Sequence, residues 1–160
     1  MEDNGKIRVG ITHGDINGIG YEVILKSFSD PAMLDLCTPI VYGSPKVATY
    51  HRKAMDIQTS FTIINNADDA QDGKLNILSC TEDELKVELT KATPEAGKAA
   101  LDALERALKD YREGDIDVLV TAPINKHTIQ SDSFHFPGHT EYIEERVGDD
   151  NKALMILLKD

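Results

Sequence analysis

The 160 residues predict an α/β protein, a mostly parallel sheet with helices on both faces. Short apolar runs alternate with helical patterns from one end to the other, and the junctions carry helix caps and glycines. Strands spaced by helices in this way imply right-handed crossovers. Residues 6–12 read as the first strand, and a helix follows over residues 19–29, opening at Gly20 and ending near Ser29. Residues 39–43 form a second strand; Ser44 then caps a helix with Pro45 at its first position. Residues 60–64 and 75–79 are shorter strands separated by a polar turn rich in Asp, Asn and Gly.

The clearest helix covers residues 94–113. Thr93 caps it, Pro94 takes the first position, Glu95 sits in the first turn and Gly114 follows its end. Ala96, Ala100, Ala103, Leu104, Ala107, Leu108 and Tyr111 recur at helical spacing, and the small residues permit close packing on a sheet. Residues 117–121 give the next strand, a helix runs from about Thr140 to Val147, and residues 153–158 read as a last apolar strand. With nothing after it to cover that strand, the chain is expected to be part of a longer protein.

Composition narrows the partners. Seventeen basic against 28 acidic residues give a formal charge of −11, which repels nucleic acid and anionic membrane. Residues 1–5 lack the features of a signal peptide and no apolar run is long enough to span a bilayer, so the expected location is the cytoplasm. Cys37 and Cys80 are far apart with no CxxC, and read as two ordinary buried thiols. The acidic run at residues 82–84 reads as a solvated face.

The chemistry is expected at the carboxyl ends of the strands, where open α/β sheets bind ligands. Lys126, in Thr-Ala-Pro-Ile-Asn-Lys, and the pair His139-Thr140, in Phe-Pro-Gly-His-Thr-Glu, fall at or beyond such an end. A cation, an imidazole and a hydroxyl there suit a small, anionic, hydroxylated substrate. Between the first strand and helix lies Thr-His-Gly-Asp-Ile-Asn-Gly-Ile-Gly. Its Gly14, Gly18 and Gly20 allow a tight turn, and Asp15 and Asn17 add polar groups. The spacing is neither the dinucleotide fingerprint nor a P-loop, so a purely structural turn stays open beside a ligand loop. His135 and His139 are four apart, but Pro137-Gly138 rules out a regular helix between them as a metal site. His13, His51 and His127 are isolated and read as polar surface or loop residues.

Gly14-Asp15, Gly18-Ile-Gly20 and Glu22-Val23 resemble the opening of the isocitrate and isopropylmalate dehydrogenase superfamily. Ile16 and Asn17, residues 119–126, Gly138-His-Thr-Glu141 with Glu144-Glu145-Arg146, and the closing apolar stretch with Met155 resemble its 4-hydroxythreonine-4-phosphate dehydrogenase branch. The resemblance implies NAD- or NADP-dependent oxidation of 4-phosphooxy-L-threonine, with decarboxylation to 3-amino-2-oxopropyl phosphate, in vitamin B6 biosynthesis. It also implies a cytoplasmic homodimer, substrate contacts at His139 and Thr140, and a divalent metal whose ligands lie beyond residue 160. Residues 1–160 would be the N-terminal portion of a two-domain dehydrogenase, with a crossover near 122–140, and inactive alone because metal and cofactor sites are incomplete. Two alternatives stand: a dehydrogenase of four-carbon sugar-acid phosphates such as threonate or erythronate 4-phosphate, and an acyltransferase resembling phosphotransacetylases.

Overall fold

In the computed structural model, which describes residues 5–82, 84–132 and 134–159, five parallel strands form one sheet in the order β3-β4-β2-β1-β5. The strands are β1 (Ile7–Thr12), β2 (Cys37–Gly43), β3 (Thr62–Ile64), β4 (Asn76–Ser79) and β5 (Val118–Thr121). The helices are α1 (Gly20–Ser27), α2 (Ala32–Leu36), α3 (Pro45–Ala54), α4 (Pro94–Glu113) and α5 (His139–Val147).

Alternation along β2 explains the layers, because successive side chains of a strand point to opposite faces. Val41 packs with Tyr21, Ile24 and Leu25 of α1 and Val47 and Ala48 of α3. Ile40 and Tyr42 pack instead with Ala103 and Ala107 of α4. Both faces of β2 are therefore dry, as a central parallel strand requires. A third apolar group joins Leu101, Leu104 and Leu108 of α4 to Phe134 and to Tyr142 of α5, seating α5 against α4.

The caps act as their sequences predict. Thr93 accepts from the Ala96 amide at 3.3 Å and Ser44 from the Val47 amide at 3.3 Å. Gly114 ends α4 in the left-handed region at φ 83°. The strand expected at 60–64 is confined to Thr62–Ile64, α2 is an addition, and a short 3-10 turn (Ala67–Asp69) occupies part of the polar turn.

One expected element is corrected. Residues 153–158 form no strand; they lie alongside no neighbour in the sheet, and their side chains are exposed, Leu158 at 93%. An apolar sequence makes a strand only when another strand takes up its backbone hydrogen bonds, and among the described residues none does. The thiols are corrected as well: Cys37 and Cys80 are free but only half-buried. Glu82 and Glu84 are exposed as expected, Glu82 pairing with Lys98 at 3.0 Å. Asp83, and residues 1–4 on which part of the signal-peptide reading rests, lie outside the described residues. Among the described residues no helix is long and apolar enough to cross a membrane.

Candidate functional site

β1 lies between β2, which it precedes in sequence, and β5, so the winding reverses across the β1–β5 pair. The loops leaving the carboxyl ends of these two strands meet at this switch point. The Asp15 amide donates to the Pro123 carbonyl at 2.9 Å. Gly14 makes that approach possible: its φ is +70°, and a Cβ there would overlap the Pro123 carbonyl oxygen. Gly20 serves likewise, since a Cβ would overlap the carbonyl of His13.

The rest of the glycine loop is tied down by side chains. Asp15 accepts from the Asn17 amide at 3.0 Å, a local turn bond. Asn17 is buried, donates to the Lys91 carbonyl at 2.9 Å and to Thr93 Oγ1 at 3.2 Å, and accepts from the Glu88 amide at 2.8 Å. Its amide is fully engaged in joining the loop to the segment before α4. Asp15, Asn17 and Gly18 line a cleft of about 370 Å³ together with Glu22, Lys91 and Asn125. The loop after β5 thus shares a wall with the glycine loop.

Asn125 shapes that second loop by accepting from the amides of His127 at 3.0 Å and Thr128 at 3.3 Å. α4 supports it from below: Gly97 packs so closely that a Cβ would overlap the Thr128 carbonyl. Phe134, Phe136 and Tyr142 pack together, mostly edge to face, with ring centroids 4.7–5.6 Å apart and carry the chain into α5. The Gln130 side chain donates to the Phe136 carbonyl at 2.9 Å, closing this segment.

His139 is the first residue of α5, after the extended Gly138. Its Nε2 is buried without a hydrogen-bond partner among the described residues. Burial pushes its pKa below the ordinary value, and the nearby Lys126 charge pushes it the same way. A buried nitrogen with no partner is costly unless something supplies one. Among the described residues no side-chain cap bond closes the start of α5, so its first amides favour an anion. Lys126 is exposed beside this helix start.

The predicted residues therefore fall into four settings. Lys126 and His139 are brought together; Asp15, Asn17 and Gly18 meet Asn125; and Gly14 and Gly20 serve the close approach of backbones. Thr140 is exposed and lines a different cleft, with Gly148, Leu154 and Met155. His127 and His135 are exposed. His13 and His51 correct the surface reading, since both are fully buried. His13 Nε2 donates to the Ala99 carbonyl at 3.0 Å, and its Nδ1 lies 3.1 Å from Tyr21 Oη. The Tyr21 oxygen in turn accepts from the Ser44 amide at 2.8 Å. Gly43 leaves room for this network, for a Cβ there would overlap Tyr21 Oη. Isolated histidines in sequence carry no sign of such a partner.

Among the described residues no group of His, Cys, Asp and Glu side chains at the rim comes close enough together to hold a metal. The described carboxylates that approach one another, Asp110, Glu113 and Asp115, lie at the end of α4 that leads into β5, where Arg106 and Tyr42 already engage Asp110 at 2.9 and 2.8 Å. The cation of Lys126 beside His139 also opposes a second positive charge there.

A parallel sheet with helices packed on it, and with the glycine loop and the Asn125–Lys126 turn meeting at the switch point, defines an α/β protein. The family model of the pyridoxal phosphate biosynthetic protein PdxA matches residues 35–160, and the chain belongs to that family. It is 70% identical over 160 residues to the 4-hydroxythreonine-4-phosphate dehydrogenase of Bacteroides thetaiotaomicron, covering all of this chain and 44% of that protein. A relative from Oceanobacillus iheyensis, provisionally named D-threonate 4-phosphate dehydrogenase, is 31% identical over 151 residues, 92% of this chain and 46% of its own. The crystal structure of a 4-hydroxythreonine-4-phosphate dehydrogenase from Burkholderia phymatum superposes with a TM-score of 0.81 at 29% identity, covering 92% of this chain and 46% of that one. The chain spans about half the length of the relatives it matches.

Proposed function

We propose that the full-length protein containing this chain oxidises the C3 hydroxyl of 4-phosphooxy-L-threonine with NAD or NADP, the keto acid then losing carbon dioxide to give 3-amino-2-oxopropyl phosphate. The observation that carries the reading is the buried, unpartnered Nε2 of His139 beside Lys126 at the uncapped start of α5. An anionic, hydroxylated substrate satisfies all three features: a hydroxyl or carboxylate at Nε2, and negative charge at the ammonium and the helix amides. The 70% identity to a protein named for this activity supports it.

His139 orients the substrate, which lowers the entropic barrier to hydride transfer. Its depressed pKa keeps the ring neutral near pH 7, able either to donate to a substrate oxygen or to accept from a hydroxyl. Asp15 and Glu22 in the cleft suit hydroxyl and amide donors of a nucleotide better than its phosphates. A nicotinamide cofactor supplies the hydride acceptor when bound. The described rim donors do not fit a divalent metal, so its ligands are assigned outside these 160 residues. The homodimer and the cytoplasmic location belong to the same proposal.

The second reading, a threonate 4-phosphate dehydrogenase, is favoured by the name of the Oceanobacillus relative. Threonate carries a hydroxyl where phosphothreonine carries an amine. Steady-state rates of the full-length enzyme on the two substrates, with NAD and with NADP, separate the readings. Faster turnover of the amino substrate supports the first, and faster turnover of the sugar acid overturns it.

A further inference from the structure

The glycine loop is gripped by buried imidazoles from two sides. His51 of α3 is 0% exposed, and its Nε2 lies 2.8 Å from the carbonyl oxygen of Ile16, at the apex of the loop. A carbonyl only accepts, so Nε2 carries the proton. The His51 ring stacks on Tyr21 at 5.6 Å and meets Tyr50 edge-on at 5.5 Å. Tyr21 also bonds His13, which anchors the start of the loop to Ala99 of α4. Ile16 is itself buried, so its carbonyl cannot turn to water if His51 is lost. The next residues in either direction, Asp15 and Asn17, line the cleft shared with Asn125.

We propose that His51 is a positioning residue. Through the Ile16 carbonyl it fixes the glycine loop against the Asn125 turn, so that Asp15 and Gly18 present their polar groups to the ligand in one arrangement. This rests on the reading of the cleft as ligand-facing. A role in packing alone makes the opposite demand on substitutions. His51→Phe keeps a ring on Tyr21 and removes the donor; His51→Gln keeps a donor near the place of Nε2 and removes the ring.

The test uses the full-length enzyme and follows hydrogen exchange of peptides covering residues 13–20, together with kcat/KM. Positioning by His51 requires His51→Phe to raise loop exchange and lower kcat/KM about tenfold or more, while His51→Gln stays within about threefold of the original on both. Greater loss in His51→Gln than in His51→Phe shows packing alone and overturns the proposal. Faster loop exchange with unchanged kinetics in His51→Phe also overturns it, while leaving the dehydrogenase reading intact. If the unsubstituted enzyme has no dehydrogenase activity, that reading fails and the exchange arm still decides whether His51 holds the loop. Should His51→Phe not fold, nitrogen NMR of the histidine-labelled enzyme decides the bond: a proton on Nε2 agrees, and a proton on Nδ1 alone refutes it.

Discussion

The amide of Asp15 donates to the carbonyl of Pro123 at 2.9 Å, and this bond joins the loop after β1 to the loop after β5. Gly14 permits it by adopting φ +70° in a space too small for a Cβ. Gly14→Ala therefore strains the backbone and pushes Pro123 away. It is expected to cost roughly 1–3 kcal/mol of stability, from the left-handed strain alone, and more from the overlap. Thermal melting and kcat/KM of the full-length variant check this; a variant as stable and active as the original rules out the bracing role.

Asn17 makes three hydrogen bonds from one buried amide. Asn17→Ala leaves the Glu88 amide and the Lys91 carbonyl without their partner. Each such loss costs about 1–3 kcal/mol, so a total of roughly 2–4 kcal/mol is expected after partial relaxation. Denaturant unfolding measures it. Asn17→Asp should be nearly as damaging, because a carboxylate cannot donate to the Lys91 carbonyl.

His13 gives the fold an acid sensitivity. Burial lowers its pKa to about 4, opposed by the bond to the Ala99 carbonyl and assisted by nearby His51. The folded state thus prefers the neutral ring, whereas the unfolded chain protonates near the ordinary histidine value of about 6.5. The contribution is fully present above about pH 6.5 and is lost as pH falls from there toward 4. Unfolding free energies measured between pH 7.5 and 4.5 should decline over this window, by roughly 2–3 kcal/mol from His13. In His13→Gln that part of the slope should vanish; an unchanged slope assigns it to other groups.

Burial and then the neighbouring Lys126 charge lower the pKa of His139. Removing the charge in Lys126→Met lets the His139 pKa rise. If neutral His139 is the active form, the acidic limb of the kcat/KM profile moves to higher pH in the variant. A limb that stays in place separates Lys126 from His139.

The sequence made the layers legible because their signals are local. Thr93, Pro94 and Gly114 bound α4 where they were expected to, and Ser44 with Pro45 does the same for α3. Residues 153–158 misled because apolar composition reports a wish for burial, while strand formation needs a partner elsewhere. Of the candidate site, the proximity of His139 to Lys126 was legible, since both lie beyond the carboxyl end of β5. Thr140 sits in the same motif but one position further along α5, and that rotation turns it to another cleft. His13 and His51 were opaque, since their partners Ala99 and Ile16 are distant in sequence and offer only backbone carbonyls.

The central claim is that His139 holds the substrate of a 4-phosphooxy-L-threonine dehydrogenase. The direct test is reduction of NAD or NADP by the full-length enzyme and its His139→Ala variant, with 4-phosphooxy-L-threonine as substrate and melting temperatures measured alongside. The expected result is turnover by the original enzyme and a loss of about tenfold or more in kcat/KM for the variant, at a melting temperature within about 2 °C. Equal kcat/KM in the two proteins, or no turnover of this substrate by the original, would contradict the account.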